Sequence, residues 1–131
     1  MKTSPIQQEL SEIFDLFEKP PHVTCVKLKT NEVVCNCPLD KQPDFYQLEV
    51  VYQPDHHCIT SHSFKRYIQA YQHKQYFSEQ LASMIVADIH SAVHPIYCQA
   101  SLIQSIREGV QLTAFAEIGR KDDNTSLHNP L

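Results

Sequence analysis

The spacing of apolar residues alternates along the chain between a helical period and a strand period. Helical spacing predicts helices over residues 5–18, 61–73 and 78–92. Strand-like alternation predicts strands over residues 22–29, 33–35, 47–53, 96–104 and 110–118, with turns at 30–32 and 107–109. Strands that pair around two helices predict an α+β domain, with an antiparallel sheet and both helices on one face.

Capping and helix-breaking residues indicate where these helices begin and end. Ser4 can cap the first helix, and Pro5 suits its first turn. Thr60 or Ser61 can cap the second helix, and Pro95 ends the third. The three predicted helices therefore have plausible ends in the sequence itself.

The length of the chain, 131 residues, suits one compact domain. We expect an N-terminal helical extension over residues 1–21, a folded domain over 22–119 and a flexible polar tail over 120–131. No apolar run is long enough for a membrane span, so we expect no membrane partner.

The composition narrows the function classes. The net charge of −4 provides no basic field for nucleic acid. Gly109 and Gly119 are the two glycines of the sequence, which excludes the glycine-rich phosphate loops of the Rossmann and P-loop motifs. Five cysteines are an odd number with no sign of secretion, and we read them as reduced thiols of a cytoplasmic protein.

A short loop carries the first candidate chemistry. Cys37 precedes two prolines and is followed, seven residues later, by Asp44. A nucleophilic thiol needs a nearby group that takes its proton and later returns it, and a carboxylate on the same loop suits that role. The spacing alone leaves a second interpretation open, in which Cys37 is an inert buried thiol.

A metal site is the other interpretation of this region. Cys35 and Cys37 form a C-x-C pair, and His56, His57 and Cys58 follow about twenty residues later. Thiolate and imidazole suit zinc. The C-x-C spacing lacks the two-residue spacer of zinc knuckles, and we expect no metal here.

The loop also resembles a known signature. Cys37-Pro38 followed by Gln42-Pro43-Asp44-Phe45 resembles the C-P-x-x-x-Q-P-D-F motif of the nitrile reductase family called QueF. A second, more degenerate block over residues 60–79 is similar to that family's next conserved stretch, with matches at Ser61, Ser63, Lys65, Tyr67, Phe77 and Glu79. The resemblance covers roughly residues 22–119 and implies a tunnelling fold (T-fold) catalytic domain with a four-stranded antiparallel sheet.

Differences within the second block indicate a branch of the family. The reductases have Glu, Lys and Arg where this chain has Thr60, His62 and Gln72, and His where it has Ser78. The loss of cations looks like the QueF-like amidinotransferases, which also share an Ala-Val-x-Pro-x-Tyr turn, here residues 92–97. Those enzymes convert the nitrile of 7-cyano-7-deazaguanine to the formamidine of archaeosine.

The resemblance implies a reaction and a site. Cys37 would add to the nitrile as a thioimide, Asp44 would move the proton, and Glu79, Ser78 and Phe77 would bind the deazaguanine. Ammonia would then add as co-substrate, with no cofactor. The runner-up is the NADPH-dependent reductase, for which Lys65 and Arg66 remain as phosphate ligands, and a non-catalytic T-fold ligand-binding module is the third alternative.

The resemblance also implies partners. T-fold relatives close their sheet edges by ring assembly, so we expect a homo-oligomer with sites between subunits. The acidic charge balance favours the free base over a nitrile within nucleic acid, and modified tRNA or DNA pathway enzymes would be the functional neighbours.

Overall fold

A computed structural model of the chain describes residues 12–120. This part of the chain forms β1 (Leu16–Glu18), β2 (Val26–Asn36), β3 (Pro43–Gln53), β4 (His57–Ile59), α1 (Ser61–Gln69), α2 (Ser78–Val93), β5 (Tyr97–Gln104) and β6 (Thr113–Gly119). Neither α1 nor α2 is long and apolar enough to cross a membrane.

The main sheet has four antiparallel strands in the order β2-β3-β5-β6. Helix α2 packs against β5 and β6, and α1 packs against β2. The predicted α+β class, with a four-stranded antiparallel sheet and two helices, is confirmed. β1 and β4 form a separate two-stranded sheet that the sequence pattern did not predict.

Strand alternation builds the core between the sheet and the helices. Tyr46 and Leu48 of β3 are buried on the helix side, and so are Ile85 and Ile89 of α2. Each fully buried aliphatic side chain contributes roughly 1.5–3 kcal/mol relative to an exposed one. This packing fixes the register of β3 and therefore the position of Asp44 at its start, because a slip of one residue would turn the apolar side chains away from the helices.

β2 is one continuous strand, and the predicted turn at residues 30–32 is wrong. The register shifts between Thr30 and Val33, so Asn31 and Glu32 lie opposite the single residue Gln47. This is a β-bulge on an edge strand, where polar residues face solvent. The residues of such a bulge have the same polar composition as a turn, so the sequence pattern does not distinguish the two. The strand also begins at Val26 rather than at residue 22.

Other element boundaries differ from the predicted ones. β3 begins at Pro43 rather than at 47, which places Asp44 in a strand and not in the loop. Helix α1 ends at Gln69 rather than at 73, and β6 begins at Thr113 rather than at 110. Helix α2 runs to Val93, one residue past its predicted end.

The N-terminal segment departs from the helix predicted over residues 5–18. Residues 1–11 lie outside the described part, and so do residues 121–131 of the predicted tail. From residue 12 the chain forms a turn and then β1, which pairs with β4 as Leu16↔Ile59 and Glu18↔His57. The helical spacing therefore does not extend as a helix to residue 18, because backbone pairing with β4 takes over.

Candidate active site

Cys37 lies in a tight turn that directly follows β2. Its backbone N–H donates to the carbonyl of Gln42 at 2.9 Å, and its carbonyl accepts from Lys41 N–H at 2.8 Å. The Asp40 side chain accepts from Gln42 N–H at 2.9 Å. These bonds hold a half-buried thiol at the end of the β2–β3 pair, where Cys35 pairs with Asp44.

The segment before α2 forms backbone hydrogen bonds with the edge of β2 beside this turn. Asn36 N–H donates to the carbonyl of Lys74 at 2.9 Å, and Tyr76 N–H donates to the carbonyl of Asn36 at 3.2 Å. The Cys35 thiol also donates to the Lys74 carbonyl at 3.3 Å. The pairing places the segment that leads into α2, which begins at Ser78, beside the end of β2 that precedes Cys37.

Asp44 is buried and heavily hydrogen bonded. Its Oδ1 accepts from Arg107 Nη1 at 2.6 Å and from Gln104 Nε2 at 3.3 Å. The other terminal nitrogen of Arg107 donates to Asp40 Oδ2 at 2.7 Å. These two hydrogen bonds fix the orientation of the Asp44 carboxylate.

Ser78 connects the helix to the same network. Its hydroxyl donates to Gln104 Oε1 at 2.8 Å and lies 3.1 Å from the Tyr46 hydroxyl. Burial raises the pKa of Tyr46 to about 12, opposed by its hydrogen bond with Ser78 and reinforced by the charge of Asp44. Tyr46 is therefore a neutral hydrogen-bonding group at physiological pH.

Two further pKa shifts describe the electrostatics around the Cys37 turn. The Gln42 N–H and then Arg107 hold the pKa of Asp40 below its usual value, and the Cys37 thiol adds a smaller effect in the same direction. Burial raises the pKa of the Cys35 thiol, so Cys35 stays protonated. Of the two thiols in the C-x-C pair, Cys37 is the one that solvent and ligands can reach.

The structure places the predicted site residues at one end of the sheet. Cys37 and Asp44 lie at adjoining strand ends, and Ser78 joins Asp44 through Gln104. Phe77 and Glu79 lie on either side of Ser78 at the start of α2, and both are exposed.

Sequence reasoning missed part of the network. The predicted turn at 107–109 indicates that Arg107 lies at the surface and outside the site, and no sequence pattern points to Tyr46, Gln104 or Asp40. The expectation for Arg107 was wrong because the turn after β5 folds its side chain back onto Asp44. Its position next to the predicted Glu-Gly turn was the one available signal, and it does not indicate which way the side chain points.

The zinc alternative finds no ligand cluster. Between residues 12 and 120, no three His, Cys, Asp or Glu side chains come together as metal ligands. Cys58 lies in β4 of the small sheet, whereas Cys35 lies in β2 of the main sheet.

Comparison with known proteins identifies the family. A family model described as QueF-like protein matches residues 43–123. The chain belongs to the QueF-like family. The relationship indicated by the Cys37–Phe45 motif is thereby confirmed.

Two curated relatives of this QueF-like chain are named as reductases. The chain is 34% identical over 92 residues to the NADPH-dependent 7-cyano-7-deazaguanine reductase of Syntrophus aciditrophicus, covering 70% of this chain and 66% of the relative. It is 32% identical over 111 residues to the reductase of the same name from Halorhodospira halophila, covering 83% of this chain and 94% of the relative.

A solved structure of the family gives a second kind of neighbour. The apo form of the archaeosine synthase QueF-Like aligns with a TM-score of 0.72 and 28% identity, covering 79% of this chain and 100% of that one. This likeness confirms the predicted T-fold.

The expectation that no cofactor takes part is wrong. The curated relatives are named NADPH-dependent reductases. The expectation depended on Thr60, His62 and Gln72 replacing the Glu, Lys and Arg of the reductases, but a cation at another position, such as Lys65, can also bind phosphate.

A groove of about 260 Å³ between α1 and β2 tests whether the chain can hold such a cofactor. Lys65 lines it together with Gln69 and Gln72. Lys65 and the two carboxamides can donate to a phosphate of a nicotinamide dinucleotide, whereas the Glu32 carboxylate, which also lines the groove, would repel it, so the fit depends on Lys65. Arg66 is turned away and donates to Asp15 at 2.7 Å.

Proposed function

We propose that the protein forms a covalent thioimide between Cys37 and the nitrile carbon of 7-cyano-7-deazaguanine. The observation that carries the proposal is the half-buried Cys37 thiol in a turn joined to buried Asp44 through Asp40 and Arg107. The substrate class follows from the names of the family's relatives. No part of this proposal depends on Cys35, whose thiol is buried.

The first step is an addition. The Cys37 sulfur forms a bond to the nitrile carbon, and the nitrile nitrogen takes the displaced electron pair. Asp44 accepts the thiol proton and passes it to that nitrogen, so the carboxylate ends as it began. The N-terminus of α2 lies beside the turn and favours the negative charge that develops on sulfur and nitrogen.

The first turn of α2 supplies the binding residues. Glu79 offers a carboxylate to the paired N–H donors of the deazaguanine edge, an arrangement that gives strong and specific hydrogen bonds. Phe77, exposed beside it, offers a ring face for stacking on the base. Ser78 orients this turn through its contacts to Tyr46 and Gln104.

For the second step we propose reduction, as in the curated relatives. The chemistry that NADPH would supply is two hydrides, one from each of two cofactor molecules in turn, which would reduce the thioimide carbon to the aminomethyl product. Lys65, Gln69 and Gln72 would hold a phosphate of the cofactor in their groove. Asp44 would pass a proton taken from solvent to the substrate nitrogen as the sulfur–carbon bond breaks, and a second solvent proton would return to the Cys37 sulfur.

Amidine formation is the second candidate. It is favoured by the solved archaeosine synthase QueF-Like, the whole of whose chain aligns with this one. Ammonia would add to the thioimide carbon, Cys37 would leave as thiolate, and the product would be a formamidine. The first step and its residues are the same in both candidates.

Assembly into a homo-oligomer completes the proposal. β2 and β6 are the edge strands of the main sheet, and Phe77 and Glu79 are exposed in the single chain. A second copy that pairs with an edge strand would cover these groups and place sites at subunit boundaries. Light scattering of the active protein should report an oligomer, and a stable active monomer would contradict this.

Product identification tests the function. The purified protein is incubated with 7-cyano-7-deazaguanine and either NADPH or ammonium, and the products are separated by liquid chromatography with mass detection. The proposal expects the aminomethyl product with NADPH, and a formamidine with ammonium would select the second candidate. Cys37→Ala should abolish either product, and Cys25→Ala, at another half-buried cysteine, should not. Equal product from Cys37→Ala and the unmodified protein would contradict the proposal.

A further inference from the structure

A single guanidinium joins two carboxylates at the Cys37 turn. Arg107 Nη1 donates to Asp44 at 2.6 Å, and Arg107 Nη2 donates to Asp40 at 2.7 Å. The Asp44 side chain is 6% exposed, whereas those of Asp40 and Arg107 are 48% and 34% exposed. The bridge therefore extends from the buried strand end to the surface turn.

The backbone around Arg107 is built to present this side chain. Arg107 and Val110 exchange two backbone hydrogen bonds, both of 2.9 Å. The two residues between them, Glu108 and Gly109, have φ values of 52° and 80°. This is a two-residue turn with positive φ at both positions, closed by the paired hydrogen bonds of Arg107 and Val110 shortly after β5.

Asp40 connects the Arg107 ion pairs to the turn that contains Cys37. One carboxylate oxygen accepts from Gln42 N–H while the other accepts from Arg107. The carbonyl of Gln42 in turn accepts from Cys37 N–H. Since Asp40 lies three residues after Cys37, the ion pair with Arg107 fixes the turn at the point where the thiol projects.

We propose that Arg107 is a positioning residue for Cys37, which clamps Asp40 to Asp44 and offsets their two negative charges beside the thiol. Without this cation, no positive charge would offset the two carboxylates near the sulfur, and they would disfavour its thiolate form. The lowered pKa of Asp40 agrees with this arrangement, because Arg107 is one of its two main causes.

The inference rests on the proposed function for the identity of Cys37 as the reacting thiol. Its test therefore measures the thiol itself and uses no nitrile substrate. If Arg107 does not influence Cys37, the proposed thioimide can still form. If the thioimide does not form, the alkylation experiment still reports on Arg107.

The experiment follows alkylation of Cys37 by iodoacetamide between pH 6 and 10, quantified by peptide mass spectrometry. Arg107→Gln removes the cation, Arg107→Lys retains the charge without the forked geometry, and Asp40→Asn removes one carboxylate. Arg66→Gln is the matched control, because Arg66 forms a comparable ion pair with Asp15 at 2.7 Å. Cys25, at the opposite end of the β2–β3 pair, is the internal reference in every sample.

The proposal predicts opposite shifts. Loss of one charge at this range should move the alkylation profile of Cys37 by about one pH unit, upward in Arg107→Gln and downward in Asp40→Asn. The alkylation profile of Arg107→Lys should lie closer to that of the unmodified protein than the profile of Arg107→Gln does. The profile of Arg66→Gln should match that of the unmodified protein. A merely loosened turn would move Arg107→Gln and Asp40→Asn in the same direction.

Two results would overturn the proposal. In the first, the alkylation profiles of Arg107→Gln and Asp40→Asn shift in the same direction; in the second, the profile of Arg107→Gln matches that of the unmodified protein. If Arg107→Gln unfolds below the assay temperature, the alkylation profiles of Asp40→Asn and Arg107→Lys test the proposal instead. An Asp40→Asn profile identical to that of the unmodified protein would then overturn the proposal.

Discussion

Ser78 donates a hydrogen bond to Gln104 at 2.8 Å and so joins the first turn of α2 to the last residue of β5. The two residues are far apart in the sequence, and the antiparallel pairing of β3 with β5 brings Gln104 opposite Tyr46. Gln104 uses its other side-chain group to donate to Asp44. One carboxamide therefore orients both the proposed proton carrier and the proposed binding turn.

Gln104→Leu tests this double contact. The change leaves Asp44 and Ser78 each without one partner, which should cost about 1–3 kcal/mol in the free energy of unfolding. The rate of nitrile adduct formation should fall about tenfold, because a 1.4 kcal/mol change corresponds to a factor of ten. Chemical denaturation and time-resolved intact-protein mass spectrometry measure the two effects.

Gln99→Leu is the control for Gln104→Leu. Gln99 is another glutamine of β5, buried on the opposite face of the sheet, and it accepts from the Tyr97 hydroxyl. This variant should lose comparable stability and keep the adduct rate. Equal loss of adduct rate in both variants would show that Gln104 acts through stability alone.

Glu79 should matter for binding and not for folding. It is exposed in the first turn of α2, so Glu79→Gln should leave the melting temperature unchanged to within about 1 °C. Loss of a charged hydrogen-bond acceptor should weaken substrate binding roughly 10- to 100-fold. Calorimetric titration in a Cys37→Ala background measures this affinity without covalent capture.

The control for that titration is Glu18→Gln, an exposed carboxylate on β1. It should bind substrate as tightly as the Cys37→Ala protein. Unchanged affinity in Glu79→Gln would remove Glu79 from the proposed site.

Asp88 predicts a pH dependence of stability. It is 1% exposed and accepts from Tyr67 at 2.6 Å and from Tyr71 at 3.2 Å. Burial raises its pKa from 3.8 to about 6, with the two tyrosine hydroxyls opposing the rise. A carboxyl whose pKa is raised by folding stabilises the protein below its unfolded pKa, and this contribution is lost as the pH rises through the folded pKa.

Asp88→Asn removes that titration. The difference in unfolding free energy between the unmodified protein and the variant should fall by about 2 kcal/mol as the pH rises from 4 to 7, with most of the change between pH 4 and 6. Denaturant unfolding at several pH values measures the difference. A difference that stays constant over this range would show that folding does not raise the pKa of Asp88.

The turn that carries Arg107 should respond to backbone preference. Glu108 has a φ of 52°, which Asn adopts more readily than Glu. Glu108→Asn should therefore stabilise the fold by about 0.5–1 kcal/mol. Gly109→Ala should destabilise it by a similar amount from backbone strain alone, since an added Cβ would meet no atom within 4 Å. Thermal denaturation of the two variants should show shifts of opposite sign.

The sequence was most informative where a pattern depends on local spacing. The helical periodicity of Phe64 and Tyr67 and the cap at Thr60 predicted α1, and both aromatic side chains are buried. Tyr71, which lies within the helix predicted over residues 61–73, is likewise fully buried. These features arise from residues close in sequence, so the pattern contains the information that determines them.

Features that depend on long-range pairing could not be predicted in this way. The bulge at Asn31 depends on the register with β3, and the pairing of β1 with β4 depends on backbone contacts that leave no side-chain pattern. The position of Arg107 is of the same kind, because its two partners, Asp40 and Asp44, lie more than sixty residues earlier in the chain. Only the folded sheet shows which charged residues meet.

The most direct test of the account is the intact mass of the protein after incubation with 7-cyano-7-deazaguanine alone. The account predicts a mass increase of one whole substrate molecule, located by peptide mapping on Cys37 and absent from Cys37→Ala. Cys25→Ala should carry the adduct as the unmodified protein does. An adduct that persists in Cys37→Ala, or no adduct in a protein that converts the nitrile, would contradict the thioimide.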